Sequence, residues 1–333
     1  MNIGAFTMAG GGGGIFKEYF KKYSAKLTLV ELDGLPIIEN LKKLKENECT
    51  GMIYISSHQE DDSFYQRLAE QGIKYICCCS AGYEFLNLKA MKKYGIKGAN
   101  VPEYSPNAIS EHTVMLLLAL LRKLRTQILR VEVNNFTRQG LQGQEVRNMT
   151  IGIVGAGRIG YTTLQCLSGF NPKKIYVYDH LEKEKVKKYA EYASLNTLYK
   201  ESDVVIYHCS YNEENYHMVN AKTLAEMKDN VILINVARGP LFDMTAVLEG
   251  LGQGKIGALG LDVIEGEGLL KKSKNPQKCP LPILEKILQY ENVIFTSHTA
   301  YYTDEAIRNL SAITVENAYS YAMTGNCPNE LVK

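Results

Sequence analysis

The sequence predicts an α/β protein with two doubly wound parallel sheets, each carrying helices on its faces. Short apolar runs rich in β-branched residues alternate with amphipathic runs along most of the chain, which indicates parallel strands joined by helices. The alternation is interrupted near Pro102 and Pro106 and begins again at Met149. At 333 residues, the chain is long enough for two domains with separate cores.

The composition excludes several classes of protein. Hydrophobic residues make up 45% and charged residues 22% of the chain, as in ordinary globular proteins. The net charge is only +2 and the two signs are interspersed, so we expect neither nucleic acid nor a membrane surface as a partner. The N-terminus lacks the basic region of a signal peptide, and the longest apolar run is too short to span a bilayer. We therefore expect a cytoplasmic protein.

Eight cysteines are present, and Cys77, Cys78 and Cys79 are adjacent. Adjacent residues on a strand point to alternate faces, and no Cys-x-x-Cys spacing occurs. We expect reduced structural cysteines and no metal site.

The first hundred residues contain one α/β unit. A glycine run at residues 10–14 follows the first strand, but it lacks both the GxGxxG spacing and the phosphate-loop lysine, so we interpret it as a loop without an assigned role. The predicted strands are residues 2–6, 27–31, 51–55 and 74–79. One predicted helix follows the glycine run and ends at Tyr23, and two others cover residues 35–44 and 62–71.

A second α/β unit follows a turn bracketed by prolines. Asn107 or Ser110 is expected to cap a helix so apolar at residues 114–124 that it must be buried between domains or between subunits. Six strands are then predicted at residues 150–154, 174–178, 204–208, 231–236, 258–263 and 293–297. A last helix at residues 301–324 is expected to return to the first domain, which gives domains of residues 1–103 with 300–333 and of residues 104–299.

A dinucleotide-binding motif opens this second unit. Gly155, Gly157 and Gly160 complete the GxGxxG spacing directly after a buried strand. The first glycine permits a tight turn, the second lets a pyrophosphate approach the backbone, and the third lets the next helix pack closely. The following strand ends in Asp179, which lies 19 residues (179 − 160) after the motif, where a ribose-binding carboxylate belongs.

Charged side chains follow the later strands of this unit, at the sheet edge where ligands of parallel sheets bind. Arg238 can bind a planar carboxylate with both arms of its guanidinium. His298 can donate a proton to a carbonyl oxygen that gains charge, and a neighbouring carboxylate raises the pKa of such a histidine. Glu265 and Glu267 are both candidates for that carboxylate. Residues two apart in an extended segment point to similar faces, so the spacing alone does not identify which of them contacts His298. This set is suited to reduction of a 2-oxo acid.

The segments VGAGRIG, NVARGPLFD, LDVIEGE, SHTAYYTDEAIRN and YSPNAISEHT resemble those of the D-isomer-specific 2-hydroxyacid dehydrogenase family, most closely its D-lactate dehydrogenase branch. The resemblance covers nearly the whole chain. It implies two Rossmann- or flavodoxin-like domains with the cofactor cleft between them, the cofactor NAD, and a homodimer whose interface includes the helix after the YSP turn. It also implies that Arg238, Glu267 and His298 are the catalytic residues, with Glu267 preferred to Glu265.

Further site residues follow from the same resemblance. Asp179 is implied to select NAD, and Asp262 to support the nicotinamide region. The other implied cofactor-binding residues are Gly155, Gly157, Arg158, Ile159, Gly160, His208, Cys209, Asn215, Val236 and Ala237. The implied substrate-binding residues are Ile55, Ala81, Gly82, Tyr104, Arg238 and Tyr301.

The sequence departs from the family pattern at a loop that is implied to touch the cofactor and at a segment that bears on the substrate. The usual His-x-Pro becomes His208-Cys209-Ser210, and the usual Gly-x-Asp-x-Ile-Asp becomes the segment from Gly82 to Asn87. We expect NADH-dependent, reversible reduction of a 2-oxo acid to its D-2-hydroxy acid, with pyruvate and D-lactate as the default pair. The alternatives are a D-2-hydroxyglutarate or a branched or aromatic D-2-hydroxyacid dehydrogenase and, in another class, an NAD-sensing binding protein similar to corepressors.

Overall fold

The computed structural model describes residues 1–6, 13–34, 36–55, 60–272 and 278–332. Its chain divides into two compact units, Met1–Ser105 with Thr303–Lys333 and Pro106–Tyr302. The sequence places these two boundaries at 103/104 and 299/300. Of the glycine run, residues 10–12 lie outside the described residues, and residues 13 and 14 begin the first helix.

The described residues form the following elements. The strands are β1 (Asn2–Phe6), β2 (Thr28–Leu32), β3 (Cys49–Tyr54), β4 (Tyr75–Cys78), β5 (Lys97–Ala99), β6 (Thr150–Val154), β7 (Lys174–Tyr178), β8 (Glu191–Tyr192), β9 (Val204–Tyr207), β10 (Val231–Asn235), β11 (Ile256–Leu261) and β12 (Val293–Phe295). The α-helices are α1 (Gly13–Lys22), α2 (Lys42–Glu46), α3 (Asp62–Glu70), α4 (Leu88–Lys93), α5 (Pro106–Leu121), α6 (Leu124–Glu132), α7 (Arg158–Ser168), α8 (Glu184–Lys187), α9 (Leu195–Glu201), α10 (Ala221–Glu226), α11 (Met244–Gly252), α12 (Gly268–Lys272), α13 (Pro282–Ile287) and α14 (Asp304–Thr324). Short 3₁₀ turns occur at Ile38–Asn40, Val146–Asn148, Glu213–Asn215 and Gly239–Leu241.

The first unit contains a five-stranded parallel sheet in the order β2-β1-β3-β4-β5. This is the doubly wound order of flavodoxin-like sheets, so the predicted class is confirmed. The fifth strand, β5, was absent from the sequence prediction because its three residues are too few to show an alternating pattern.

Helix α14 completes the core of this first unit although it lies far along the chain. Val315, Ala318 and Tyr321 share one buried cluster with Ile3 and Cys77 from the central strands. Thr303 caps the helix by accepting a hydrogen bond from the backbone N–H of Ala306, so α14 begins three residues after the predicted residue 301. The first unit is therefore discontinuous in sequence because apolar side chains of α14 fill part of its core.

The second unit contains a seven-stranded parallel sheet in the order β12-β11-β10-β9-β6-β7-β8. The strand order reverses between β6 and β9, which is the switch point where ligands of such sheets bind. The sequence predicts six of these strands. The missing strand, β8, has two residues and pairs only with the edge of β7.

Helix α5 begins at Pro106, so the predicted caps Asn107 and Ser110 lie inside it and that prediction is wrong. Proline favours the first turn of a helix because its φ angle is already fixed there. The helix ends at Leu121, and Lys123 adopts a left-handed φ of 50° before α6 begins. The predicted helix with its apolar face at residues 114–124 therefore ends three residues early, and the sequence prediction did not include α6.

The eight cysteines are all free thiols. Burial raises the pKa of the Cys49 thiol to about 11, and it raises the pKa values of Cys77 and Cys78 further. These thiols stay protonated at neutral pH, which suits residues of a core.

No helix in the described ranges combines the length and the apolar character needed to cross a bilayer.

Candidate active site

The glycine-rich turn between β6 and α7 is packed too tightly for side chains at two of its three glycines. A Cβ on Gly155, which has a φ of 96°, would lie 2.6 Å from the backbone N of Cys209. A Cβ on Gly160 would lie 2.0 Å from the carbonyl oxygen of Gly155. Gly157 differs, because no atom lies within 4 Å of its Cβ position. Open space therefore remains over the N-terminus of α7.

Asp179 lies directly after β7 and is fixed beside this turn. One carboxylate oxygen accepts a hydrogen bond from the backbone N of Ala156 at 2.6 Å, and the other accepts one from Leu181 N at 3.0 Å. Lys183 Nζ donates to the carbonyl oxygen of Ala156 at 3.0 Å. The open backbone at Gly157, the helix N-terminus and this carboxylate fit a dinucleotide with its pyrophosphate on the helix and its ribose on Asp179.

His208, which follows β9, belongs to a chain of buried hydrogen bonds. Ser110 Oγ donates to the carbonyl oxygen of Ile159 at 3.0 Å, and Thr163 Oγ1 donates to Ser110 Oγ at 3.0 Å. Each hydroxyl has one proton, so the contact of 2.9 Å between Thr163 Oγ1 and His208 Nε2 requires that the histidine donate. The ring is therefore the neutral Nε2–H tautomer, and burial lowers its pKa to about 3.

The loop after His208 is held mainly by its own polar groups. Asn215 accepts a hydrogen bond from Asn212 N at 2.8 Å and donates one to Ser210 O at 2.8 Å. Burial raises the pKa of the Cys209 thiol to about 11. At these two predicted cofactor residues, the Asn215 amide thus supports the loop and the Cys209 thiol stays uncharged at neutral pH.

The turn that carries Arg238 depends on a residue that sequence reasoning missed. Asn235 is fully buried, donates to Arg238 O at 2.9 Å and accepts from Ala237 N at 3.0 Å. Arg238 Nη1 donates to Ala237 O at 2.8 Å, and Val236 is also buried. The available signal was an asparagine at a strand end before a turn, since its side chain can bond the backbone two residues later.

His298 and Glu267 are in direct contact. His298 Nδ1 lies 2.5 Å from Glu267 Oε1, and Glu267 Oε2 accepts from Ile264 N at 3.3 Å. An ionised carboxylate only accepts hydrogen bonds, so the imidazole carries its proton on Nδ1 and leaves Nε2 for proton exchange. About a third of the His298 side chain and a quarter of the Glu267 side chain are exposed, so the pair remains accessible.

Geometry separates the two acids that the sequence leaves open. Glu267 contacts His298, whereas Glu265 Oε2 lies 2.9 Å from His217 Nε2. Gly266 lies between them with a φ of 79°, a left-handed conformation that turns the chain. The two carboxylates therefore serve different histidines.

The backbone that presents His298 is strained and is held by Asp262. Ser297 and His298 have φ angles of 48° and 57°, which are unfavourable for residues with side chains. The buried Asp262 carboxylate accepts hydrogen bonds from Thr299 N at 2.8 Å and Ala300 N at 3.0 Å, and its carbonyl oxygen accepts one from His298 N at 2.6 Å. Asp262 therefore shapes the turn that carries His298.

A second missed residue, Thr296, connects Asp262 to helix α5. Its hydroxyl donates to Asp262 Oδ1 at 2.6 Å, so His112 Nε2, at 2.9 Å from the same hydroxyl, must be the donor. Burial lowers the pKa of His112, and the nearby Asp262 charge opposes that shift. His112 belongs to the segment YSPNAISEHT, but 184 residues separate it from Thr296, so the sequence does not reveal the contact.

Arg238, Glu267 and His298 follow β10, β11 and β12, which are neighbours in the sheet. Gly239 brings the Arg238 turn against the Glu267 loop, since a Cβ on Gly239 would lie 2.3 Å from Glu265 N. The ring of Tyr301 stands edge-on to the His298 ring, with centroids 6.0 Å apart. This edge of the sheet can thus offer a cation, a proton donor and an aromatic surface.

The remaining substrate-binding predictions fall in the first unit. Ile55 follows β3 and is 37% exposed. Ala81 and Gly82 form the turn after β4, where Asn100 Nδ2 donates to Ala81 O at 2.6 Å and Ser80 Oγ donates to Gly82 O at 2.7 Å. The carbonyl oxygen of Tyr104 accepts from Asn309 Nδ2 at 2.7 Å.

Comparison with known proteins agrees with this geometry. Residues 114–300 match the family model described as the NAD-binding domain of D-isomer specific 2-hydroxyacid dehydrogenases. The chain is 39% identical over 318 residues to an aromatic 2-oxoacid reductase of Clostridium sporogenes (strain ATCC 15579), covering 95% of each chain. It is 32% identical over 321 residues to the D-lactate dehydrogenase of Escherichia coli (strain K12), covering 95% of this chain and 98% of the other.

A solved structure of similar fold is the D-lactate dehydrogenase of Lactobacillus jensenii with NAD⁺, with a TM-score of 0.85, 30% identity and full coverage of both chains. The family model and this NAD complex agree with the dinucleotide fit of the glycine turn. The chain belongs to the D-isomer specific 2-hydroxyacid dehydrogenase family and is an NAD-dependent oxidoreductase of 2-hydroxy and 2-oxo acids.

Proposed function

We propose that this enzyme reduces an aromatic 2-oxo acid to the D-2-hydroxy acid, reversibly, with Arg238, Glu267 and His298 as its catalytic residues. The observation that carries the catalytic assignment is the 2.5 Å contact between His298 Nδ1 and Glu267 Oε1. It leaves one imidazole nitrogen available at the sheet edge where the glycine turn also lies.

Each residue has a distinct task in the proposed reaction. Bound NADH supplies the hydride that is added to C2 of the oxo acid. Arg238 holds the substrate carboxylate through two parallel hydrogen bonds, which orients the carbonyl group. His298 gives its Nε2 proton to the carbonyl oxygen, and the Glu267 carboxylate orients the imidazole through the contact with Nδ1. In the oxidative direction, neutral His298 takes the proton of the hydroxyl group.

The remaining site assignments are part of the same proposal. Gly155, Gly157, Gly160 and Asp179 hold the cofactor, together with Arg158, Ile159, His208, Cys209, Asn215, Val236, Ala237 and Asp262. Ile55, Ala81, Gly82, Tyr104 and Tyr301 contact the substrate. The Tyr301 ring beside His298 favours a large apolar substituent on the oxo acid.

Similarity to an aromatic 2-oxoacid reductase supports this choice of substrate. Pyruvate is the second candidate, because the chain also resembles D-lactate dehydrogenases over nearly its whole length. The enzymatic relatives leave no reason to propose the corepressor-like alternative.

A substrate panel tests the proposal. Oxidation of NADH is followed at 340 nm with phenylpyruvate, indolepyruvate, 4-methyl-2-oxovalerate, pyruvate and 2-oxoglutarate. We expect the highest kcat/KM with an aromatic acid and a D product by chiral chromatography. His298→Ala should lower kcat by about 10²- to 10⁴-fold, as expected for a lost general acid. A higher kcat/KM with pyruvate would favour the second candidate, and activity retained by H298A would refute the catalytic assignment.

We also propose that the enzyme is a homodimer formed through helices α5 and α6 and the segment after α6. Large apolar side chains are exposed there, with Val133 at 72%, Phe136 at 73% and Ile128 at 50%. A groove of about 600 Å³ is lined by Met115 and Leu118 of α5 and by Leu124 of α6. Apolar exposure of this extent is typical of a protein interface. The cytoplasmic location stays a prediction from the sequence.

A further inference from the structure

We propose that His217 and Glu265 form a positioning pair that sets the place of Glu267 relative to Arg238. The inference rests on the proposed function, because it concerns residues that act through Glu267. The two side chains lie on different loops of the second unit, and neither belongs to the proposed catalytic set.

His217 joins the loop after β9 to the Arg238 turn through its backbone. Its N–H donates to the carbonyl oxygen of Pro240 at 2.9 Å, two residues beyond Arg238. Two residues later, Val219 N donates to Leu241 O at 3.0 Å, so the two segments run side by side. His217 itself has a φ of 51°, a left-handed conformation that its neighbours must hold in place.

The side chain of His217 reaches the third loop. Its Nε2 lies 2.9 Å from Glu265 Oε2, and Tyr216 OH donates to the other Glu265 oxygen at 3.3 Å. The Tyr216 and His217 rings are stacked at 3.8 Å, which restricts the imidazole to this direction. Both oxygens of Glu265 are therefore held from the loop after β9.

Glu265 and Glu267 are separated only by Gly266, so a displacement of Glu265 moves Glu267. The contact between Gly239 and the backbone of Glu265 fixes the same loop from the side of Arg238. Glu267 must stay within hydrogen-bond distance of His298 Nδ1 to hold the imidazole in the orientation that presents Nε2. His217 contacts the Arg238 turn through its backbone and Glu265 through its side chain, so the pair fixes the Glu267 carboxylate relative to Arg238.

A double-mutant cycle tests this role. His217→Ala should lower kcat on the order of tenfold, because one partly exposed, charge-assisted hydrogen bond is lost. His217→Gln keeps an N–H donor near Glu265 and should recover most of that loss. In a Glu267→Gln background, H217A should change kcat by less than about twofold, since residues that act as a unit are not additive.

Three controls separate positioning from other effects. Glu265→Ala removes both acceptor oxygens, breaks the pair from the other loop and should reproduce the H217A loss, which covers the case in which H217A folds poorly. Glu184→Ala removes an exposed ion pair with Lys187 in α8 and should leave kcat unchanged. Circular dichroism and the KM for NADH are measured for every variant.

Equal losses from H217A in the wild-type and E267Q backgrounds would overturn the inference. A rise in the KM for NADH with kcat unchanged would also overturn it, since His217 would then only shape the cofactor loop. An inactive wild-type enzyme would refute the proposed function, and this inference with it. An active wild type with additive losses would refute the inference alone.

Discussion

His208 shows how burial at a single residue couples stability to pH. Its folded-state pKa is about 3, against 6.5 for the exposed group, because burial disfavours the charged ring. Between these values the unfolded chain binds more protons than the folded chain, so the free energy of unfolding falls as the pH falls. The contribution of His208 to stability is complete above pH 6.5 and is lost between about pH 6.5 and 3.

His208→Gln should remove this dependence while keeping a donor for Thr163. Between pH 7 and pH 5, the free energy of unfolding of the wild-type protein should fall by about 2 kcal/mol more than that of the variant. Urea unfolding at the two pH values, without cofactor, measures the difference. The same pH dependence in the two proteins would show that His208 takes up its proton as readily in the folded state as in the unfolded state, which would contradict the lowered pKa.

At the residue scale, the sequence indicates the proposed catalytic residues better than the residues that hold them in place. Arg238, Glu267 and His298 belong to recognisable segments, and the prediction identified them as candidates. Asn235 and Thr296 were missed, because their partners are set by the fold. The choice between Glu265 and Glu267 required the direction of each side chain, which depends on the turn at Gly266.

At the scale of elements, we expect the glycines of the turn between β6 and α7 to have different roles: Gly157 is needed for cofactor binding alone, and Gly160 also for the packing of the helix. Gly157→Ala should leave the melting temperature unchanged, because nothing lies within 4 Å of the added Cβ. The same methyl group would stand where the proposed pyrophosphate approaches the backbone, so NADH should bind at least about tenfold more weakly. Thermal unfolding and fluorescence titration with NADH measure the two effects.

Gly160→Ala should instead weaken both properties. Its Cβ would lie 2.0 Å from the carbonyl oxygen of Gly155, and overpacking of this kind costs about 1 to 3 kcal/mol of stability. Gly169→Ala, at the end of the same helix, is the matched control because its nearest atom is 3.8 Å away. Similar behaviour of the 157 and 160 variants in both assays would contradict this division of roles.

The element predictions were accurate for most strands of the two sheets, whereas the helix predicted at residues 35–44 is a 3₁₀ turn at Ile38–Asn40 followed by the short helix α2 from Lys42. All strands of four or more residues were located, and so was the three-residue β12, which is wholly apolar (VIF). Strands β5 (KGA) and β8 (EY) were missed because they are short and contain no apolar run. The start of α5 was misplaced because polar side chains were preferred to Pro106 as a start signal.

For the whole molecule, the proposed dimer gives a direct prediction. Val133→Asp with Phe136→Asp would place two charges on the exposed apolar segment and should convert a dimer into a monomer. Light scattering after size-exclusion chromatography measures the mass. Leu181→Asp is the matched control, since this exposed leucine lies outside the proposed interface. A monomeric wild-type protein would rule out the proposed dimer.

At this scale, the sequence predicts two parallel-sheet units and the participation of the last helix in the first of them. The preferred oxo acid does not follow in the same way. Reaction class depends on charged groups with fixed spacing, whereas substrate preference depends on the packing of side chains such as Ile55 and Tyr301, where one methylene changes binding by only about 1 to 3 kcal/mol.

The discontinuity of the first unit also has a consequence for synthesis of the protein. A ribosome makes the whole of Pro106–Tyr302 before it makes α14. The nascent first unit therefore lacks Val315, Ala318 and Tyr321, and the apolar surface around Ile3 and Cys77 stays uncovered during that time. The second unit has its complete sequence earlier, although it begins later in the chain. The order in which the two units mature is thus the reverse of the order in which their first residues are made.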